Sequence, residues 1–157
     1  MGGGWGLRLG TYLWRRNWRS AEDWRYAEMR ASWGPQAPWK LFWFFQFQNL
    51  FTLALVASAF LPAAYRDGAT PPWALVLAGV IWWVSVLGET WADAQLARFK
   101  RQHPQPDQFC QTGWWRLSRH PNYFFECLHW LAYLPLAWGS PLWVWSLAAP
   151  LVMALLI

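Results

Sequence analysis

Residues 39–62, WKLFWFFQFQNLFTLALVASAFLP, carry a single charged side chain, Lys40, at their leading edge. A run of that length meets the roughly 20 residues that a helix needs to cross a bilayer. It restricts the chain to folds in which such a helix is surrounded by hydrocarbon or by other helices. A second run starts at Trp73, stays apolar to about Leu87, and continues through Glu89, Asp93, Arg98 and Lys100. No Pro or Gly interrupts Glu89 to Gln102, so this helix is predicted to leave the bilayer and enter the aqueous phase. Only 13% of the 157 residues are charged, about half the share a soluble domain of this size carries. The seventeen Trp residues fit the same solvent, because indole rings collect where hydrocarbon meets headgroup.

The rest of the chain fits around these two runs. Residues 5–16, WGLRLGTYLWRR, read as a partial helix, too short to cross alone. Residues 17–37 hold Arg19, Glu22, Asp23, Arg25, Glu28 and Arg30, with Pro35 and Pro38 closing the segment. Gln46, Gln48 and Asn49 interrupt the first run, and three amides there require partners in a bundle or a wet cavity. Residues 103–113 form a loop, and 114–123 an interfacial segment. A further helix is predicted from Pro121, a favourable first-turn residue, to about Trp138. Gly139-Ser140-Pro141 turns the chain into a last apolar helix over 142–157. The expected fold is all-α: a polytopic transmembrane bundle, one membrane domain over 1–157, with about four spans at 39–62, 73–95, 121–138 and 142–157.

Orientation follows from the cations. Twelve of the thirteen Lys and Arg lie between Arg8 and Lys40 or between Arg98 and Arg119, with Arg66 the exception. Four alternating spans put both groups on one face, which the positive-inside rule makes cytoplasmic. Segments 14–38 and 98–120 are then cytoplasmic, and in a bacterial cell the membrane is the inner one. The net charge of +5 is assigned to anionic lipid or a phosphate-bearing ligand rather than to nucleic acid. Cys110 and Cys127 form no CxxC or Cys/His spacing, so no metal site is expected. There is no GxGxxG, no Walker loop, no internal repeat and no cleavable leader before Arg15.

Three clusters of polar residues stand out. Glu89, Asp93 and Lys100, spaced by four and seven, share a helix face with Ser85 and Leu96; the same spacing also fits a solvated helix end with charge pairing. Asn122, Glu126, His129 and Tyr133 fall on one face of the helix starting at Pro121, as a ligand cavity or an interhelical hydrogen-bond network would require. Arg119 and His120 sit at the mouth of that helix, where free N–H groups and the dipole favour an anion such as phosphate. The third cluster, Glu22 to Tyr26 near Arg15, Arg16 and Arg19, reads as a charged cytoplasmic loop or as steering for a phosphorylated cofactor.

The ordered segments EDWRY (22–26), ETWADAQLARFK (89–100) and TGWWRLSRHPNYFFECLHW (112–130) resemble the DUF1295 group of steroid 5-alpha-reductase-like membrane proteins, close to the sterol C14-reductases. The resemblance implies a helix bundle that binds NADPH in a cytoplasm-facing cavity and reduces a carbon–carbon double bond conjugated to a carbonyl. It implies that Asp93 and Lys100 hold the cofactor from the emerging helix, and that Asn122, Tyr123 and Glu126 contact its nicotinamide and ribose side. Arg119 and His120 then face the phosphates, Glu89 stands where the steroid enzymes tend to have an amide, and Arg8 matches a basic residue presented to the cofactor. Trp5 stands where the steroid reductases have a Tyr that polarises the substrate carbonyl. On the same resemblance the chain reads as the middle and C-terminal part of a family member, trimmed at both ends. Candidates for the enolate-stabilising donor are Tyr123, His129 and Tyr133, and the substrate is a lipophilic steroid-like or fatty-acyl-like molecule entering from the bilayer. Two other readings stand beside this one: a membrane methyltransferase of the isoprenylcysteine or phospholipid type, which shares an RHPxY segment and uses S-adenosylmethionine, and a non-catalytic membrane or lipid-binding protein.

Overall fold

Helix and turn account for all regular structure in the computed structural model, which describes residues 2–18, 23–103 and 108–156. Arg19 and Glu22 of the charged N-terminal cluster lie outside these residues, as do residues 104–107 of the loop. The elements are α1 (Gly2–Asn17), α2 (Trp24–Trp33), α3 (Ala37–Ala64), α4 (Pro72–Gln102), α5 (Pro121–Leu131), α6 (Tyr133–Ala137) and α7 (Ala148–Leu156). Short 3-10 turns at Gly34–Gln36, Gly113–Arg116 and Trp143–Leu147 join them. The chain packs as two compact units, Met1–Ala54 and Leu55–Ile157.

In the first unit, Asp23 caps α2 by accepting the Arg25 N–H at 3.1 Å. The Arg25 guanidinium grips the same carboxylate with both of its arms, at 3.1 and 2.9 Å, so one side chain satisfies an orphan helix donor and a cation together. Gly34, at φ 52°, ends the helix with its N–H on the Arg30 carbonyl, a conformation that costs glycine least. Pro35 then starts the tight turn that leads into α3. The bend brings the Tyr26 ring to 5.6 Å from Phe45, and Lys40 sits 5.9 Å over the Trp33 ring.

In the second unit, α4 and α5 run antiparallel. Three contacts along their length show it: Trp73 with Trp138 just past α6, Gly88 with Phe125, and Gln95 with Trp114. The buried face of α4 is Ala74, Ala78, Ser85, Glu89 and Ala92. Small residues at helical spacing let backbones approach closely, and at Gly88 the approach is closest. A Cβ there would stand 2.2 Å from the Phe125 ring. Behind this seam, Leu55 and Ala59 of α3 join Trp130, Tyr133 and Ala149 in the core.

The span expected over 121–138 is two helices. Pro121 does open α5, but Pro135 has no N–H for the Leu131 carbonyl and its ring crowds that oxygen. The α-helix accordingly stops at Leu131, and Ala132 bonds back three residues to His129 at 3.1 Å. The last segment is also divided. Pro150 removes the bond that would reach Ser146, so 143–147 winds as a 3-10 turn and the nine residues of α7 follow. Nine residues rise about 14 Å, half the thickness of a hydrocarbon core.

Two stretches are long and apolar enough to cross a membrane: Trp24–Ala64 and Pro72–Gln102. Along α4 the face away from the core exposes Leu75, Val76, Val80, Trp83, Val84 and Leu87, a contiguous apolar surface of the kind that meets lipid or another protein.

Replacing Gly88 with Ala drives a methyl into the Phe125 ring. We expect a loss of about 1–3 kcal/mol, the range for overpacked cores, measured as a lower midpoint of thermal unfolding in detergent. Phe125→Ala in the Gly88→Ala background should recover part of the loss introduced by the methyl, so an equal penalty for Gly88→Ala in both backgrounds would contradict the contact.

Candidate functional site: a cationic cavity at the end of α4

The last turns of α4 place Leu96, Phe99, Lys100 and His103 at spacings of three, four and seven, which lie on one helix face. Opposite them runs the segment from Gln108 to His120. Its position is set by two bonds to α4. The Trp114 N–H donates to Gln95 Oε1 at 3.0 Å, and the Trp115 indole N–H donates to the Ala92 carbonyl at 2.9 Å. Gly113 makes the approach possible. Its φ is +59°, and a Cβ would fall 2.3 Å from the Gln95 amide. The Trp114 ring then meets Phe125 edge-on at 5.4 Å, tying the loop to the same ring that rests on Gly88.

Between α4 and this segment lies a cavity of about 1130 Å³. Its wall includes Lys100, Arg116 and Arg119, the imidazoles of His103 and His120, and the aromatic rings of Phe99, Phe109 and Trp115. Among the described residues, no carboxylate lines it. Three cations lining one space make a positive field, which focuses anions into a concave, partly apolar site. The two histidines are held by their own neighbours. His103 Nδ1 lies 3.2 Å from the Phe99 carbonyl and its ring stacks on Phe99 at 4.4 Å. The His120 backbone N–H donates to Ser118 Oγ at 3.1 Å, and its ring stacks on Tyr123 at 5.1 Å.

Of the residues singled out from sequence, Lys100, Arg119 and His120 line this cavity. Tyr123 touches it from behind through the stack on His120 and is 46% exposed. Asp93 and Asn122 sit between the cavity and the Gly88–Phe125 contact. Asp93 is five residues along α4 from Gly88, and Asn122 three residues before Phe125, so both lie about one helical turn nearer the cavity. Asn122 Oδ1 is buried with no hydrogen-bond partner among the described residues. Glu89 is buried on the α4 seam. Arg8 belongs to the other compact unit.

The polar stripe of α5 divides in two. Glu126 Oε1 accepts from the Trp130 indole at 3.1 Å, and the Tyr133 hydroxyl shares a 3.3 Å hydrogen bond with His129 Nε2. His129 and Tyr133 are 1% and 2% exposed. These two contribute to the interior, with Tyr133 also against Phe60 at 4.9 Å. The residues that sequence reasoning passed over are Arg116, Phe99 and His103. The last two were legible as the i+3 and i+7 partners of Leu96. Arg116 carries no periodic signal, because it lies in a 3-10 turn.

The Trp115 bond to α4 should be worth about 1 kcal/mol. Trp115→Phe is expected to speed amide hydrogen exchange over 113–118 by roughly fivefold while leaving exchange in the middle of α4 unchanged. Unaltered exchange in the loop would mean that the indole bond does not hold it.

A family model described as a protein of unknown function (DUF1295) matches residues 1–157. No curated protein and no solved structure matches the chain.

Proposed function

The chain belongs to the DUF1295 family, and from that premise we propose that it is a multi-pass membrane reductase that uses NADPH on a conjugated carbon–carbon double bond in a lipophilic substrate. The observation that carries this reading is the charge of the cavity: Lys100, Arg116 and Arg119 line one space, with no carboxylate among its described residues. A dinucleotide phosphate is a polyanion, and guanidinium and ammonium groups are its usual partners. The same field disfavours S-adenosylmethionine, whose sulfonium and ammonium groups are cations. The cavity is also roomier than the roughly 300–1,000 Å³ of most small-molecule sites, as a two-nucleotide ligand requires.

The membrane placement draws on α4. Trp73 and Trp91 are both exposed, and the eighteen helical steps from one to the other rise about 27 Å, close to the thickness of a hydrocarbon core. Arg98, Lys100 and Arg101 follow beyond Trp91, where the positive-inside rule makes the face cytoplasmic. In this reading α5, α6 and α7 complete the bundle as the third and fourth membrane segments.

When bound, NADPH supplies a hydride to the β-carbon of the substrate. Lys100, Arg116 and Arg119 hold its phosphates, and Phe99 and Trp115 offer aromatic faces for a base. Asn122, with a buried acceptor left over, suits a carboxamide N–H. Tyr123 is the donor assigned to the carbonyl oxygen of the substrate, since its ring braces His120 of the cavity wall. His129 and Tyr133 hydrogen-bond each other and keep the core closed around Trp130.

The test is a titration of the purified chain in detergent with NADPH and, separately, with S-adenosylmethionine. NADPH should bind saturably, and the pair Lys100→Ala with Arg119→Ala should weaken it by about tenfold or more, the worth of one charge-assisted bond or better. Saturable binding of S-adenosylmethionine alone would overturn the assignment.

A further inference from the structure

Among the described residues from 94 to 125, every charged side chain is a cation: Arg98, Lys100, Arg101, Arg116 and Arg119. Two large apolar side chains stand in the same segment with nothing over them. Phe109 is 81% exposed and Leu117 is 76% exposed, and both border the cavity that Lys100, Arg116 and Arg119 line. Neither belongs to an α-helix, and water is an unfavourable neighbour for both. The loop is tied to α4 at Trp114 and Trp115, by Gln95 and the Ala92 carbonyl, close before Leu117 in the chain.

Height along α4 identifies what lies opposite. Trp91 ends the exposed apolar face, and Arg98 follows seven residues later, about 10 Å further along the axis. That distance reaches the headgroup layer. Cations beside solvent-facing aromatic and aliphatic groups, at that height, match the two-part chemistry of an interfacial anchor: apolar insertion plus attraction to anionic lipid.

We infer that the segment 108–119 is a docking surface for the membrane's own anionic phospholipids, with Phe109 and Leu117 inserted at the acyl boundary and Arg116 and Arg119 on the phosphates. The inference rests on α4 crossing the bilayer as proposed above, and it makes lipid phosphate a competitor of the cofactor for Arg116 and Arg119. It gives the cavity a lipid-dependent wall, so the composition of the leaflet acts on the site.

The experiment measures amide hydrogen exchange over 108–119 in the full chain, without nucleotide, in nanodiscs of phosphatidylcholine alone or with about one-third phosphatidylglycerol. Phosphatidylglycerol should slow exchange by roughly fivefold or more, the effect of about one surface cation, and about 0.5 M salt, with a screening length near 4 Å, should erase most of the difference. Phe109→Ser with Leu117→Ser should lose protection in both lipids, and Arg116→Gln with Arg119→Gln should lose only the preference for phosphatidylglycerol. Exchange over 74–92 reports whether each variant keeps the fold. Equal exchange in the two lipids, or a preference that survives Arg116→Gln with Arg119→Gln, would overturn the inference. Since no NADPH is present, failure of the cofactor titration would leave this result standing, and the reverse also holds.

Discussion

The second unit depends on the close approach of α4 and α5. Gly88 lets the Phe125 ring lie against the backbone of α4, and the small residues Ala74, Ala78, Ser85 and Ala92 keep the seam narrow on either side. In a bilayer such contacts matter more than in water, because lipid chains are as apolar as the helices and give no hydrophobic drive to association. Phe125 in turn receives Trp114, so the packing of two helices is passed on to the loop that walls the cavity.

Around that seam, polar groups are sorted by depth. Near the core, side chains bond one another at helical spacing: Glu126 with Trp130, and His129 with Tyr133. These bonds offset part of the cost of burying the groups that make them. One turn nearer the cavity, Asn122 Oδ1 is left over. At the end of α4 the side chains are cations facing open space. A buried polar atom without a hydrogen-bond partner among the described residues also occurs away from the cavity, at Trp82 Nε1.

Much of this was legible in the amino-acid sequence. The length of the apolar runs marked α3 and α4, Pro121 marked the start of α5, and the clustering of Lys and Arg marked the end where Lys100, Arg119 and His120 converge. What was not legible has physical causes. Apolar periodicity continues through Pro135 and Pro150, but hydropathy is blind to a missing N–H, so two helices looked longer than they are. The i,i+4 pattern of Asn122, Glu126, His129 and Tyr133 is the same whether the side chains face a ligand or each other. Arg116 reaches the cavity only because Gly113, Trp114 and Trp115 dock on α4, a set of contacts separated by about twenty residues that no local pattern announces.

The two bonds from the loop to α4 have a mechanical consequence. With Trp114 tied to Gln95 and Trp115 to Ala92, the cavity wall is anchored at two points on a 31-residue helix about 46 Å long. A lever of that length amplifies: a change of roughly ten degrees in its inclination sweeps the far end through about 8 Å. The anchored part of the wall would follow the helix, so the orientation of the rod also sets the position of the cavity's lining at Trp115 and Arg116.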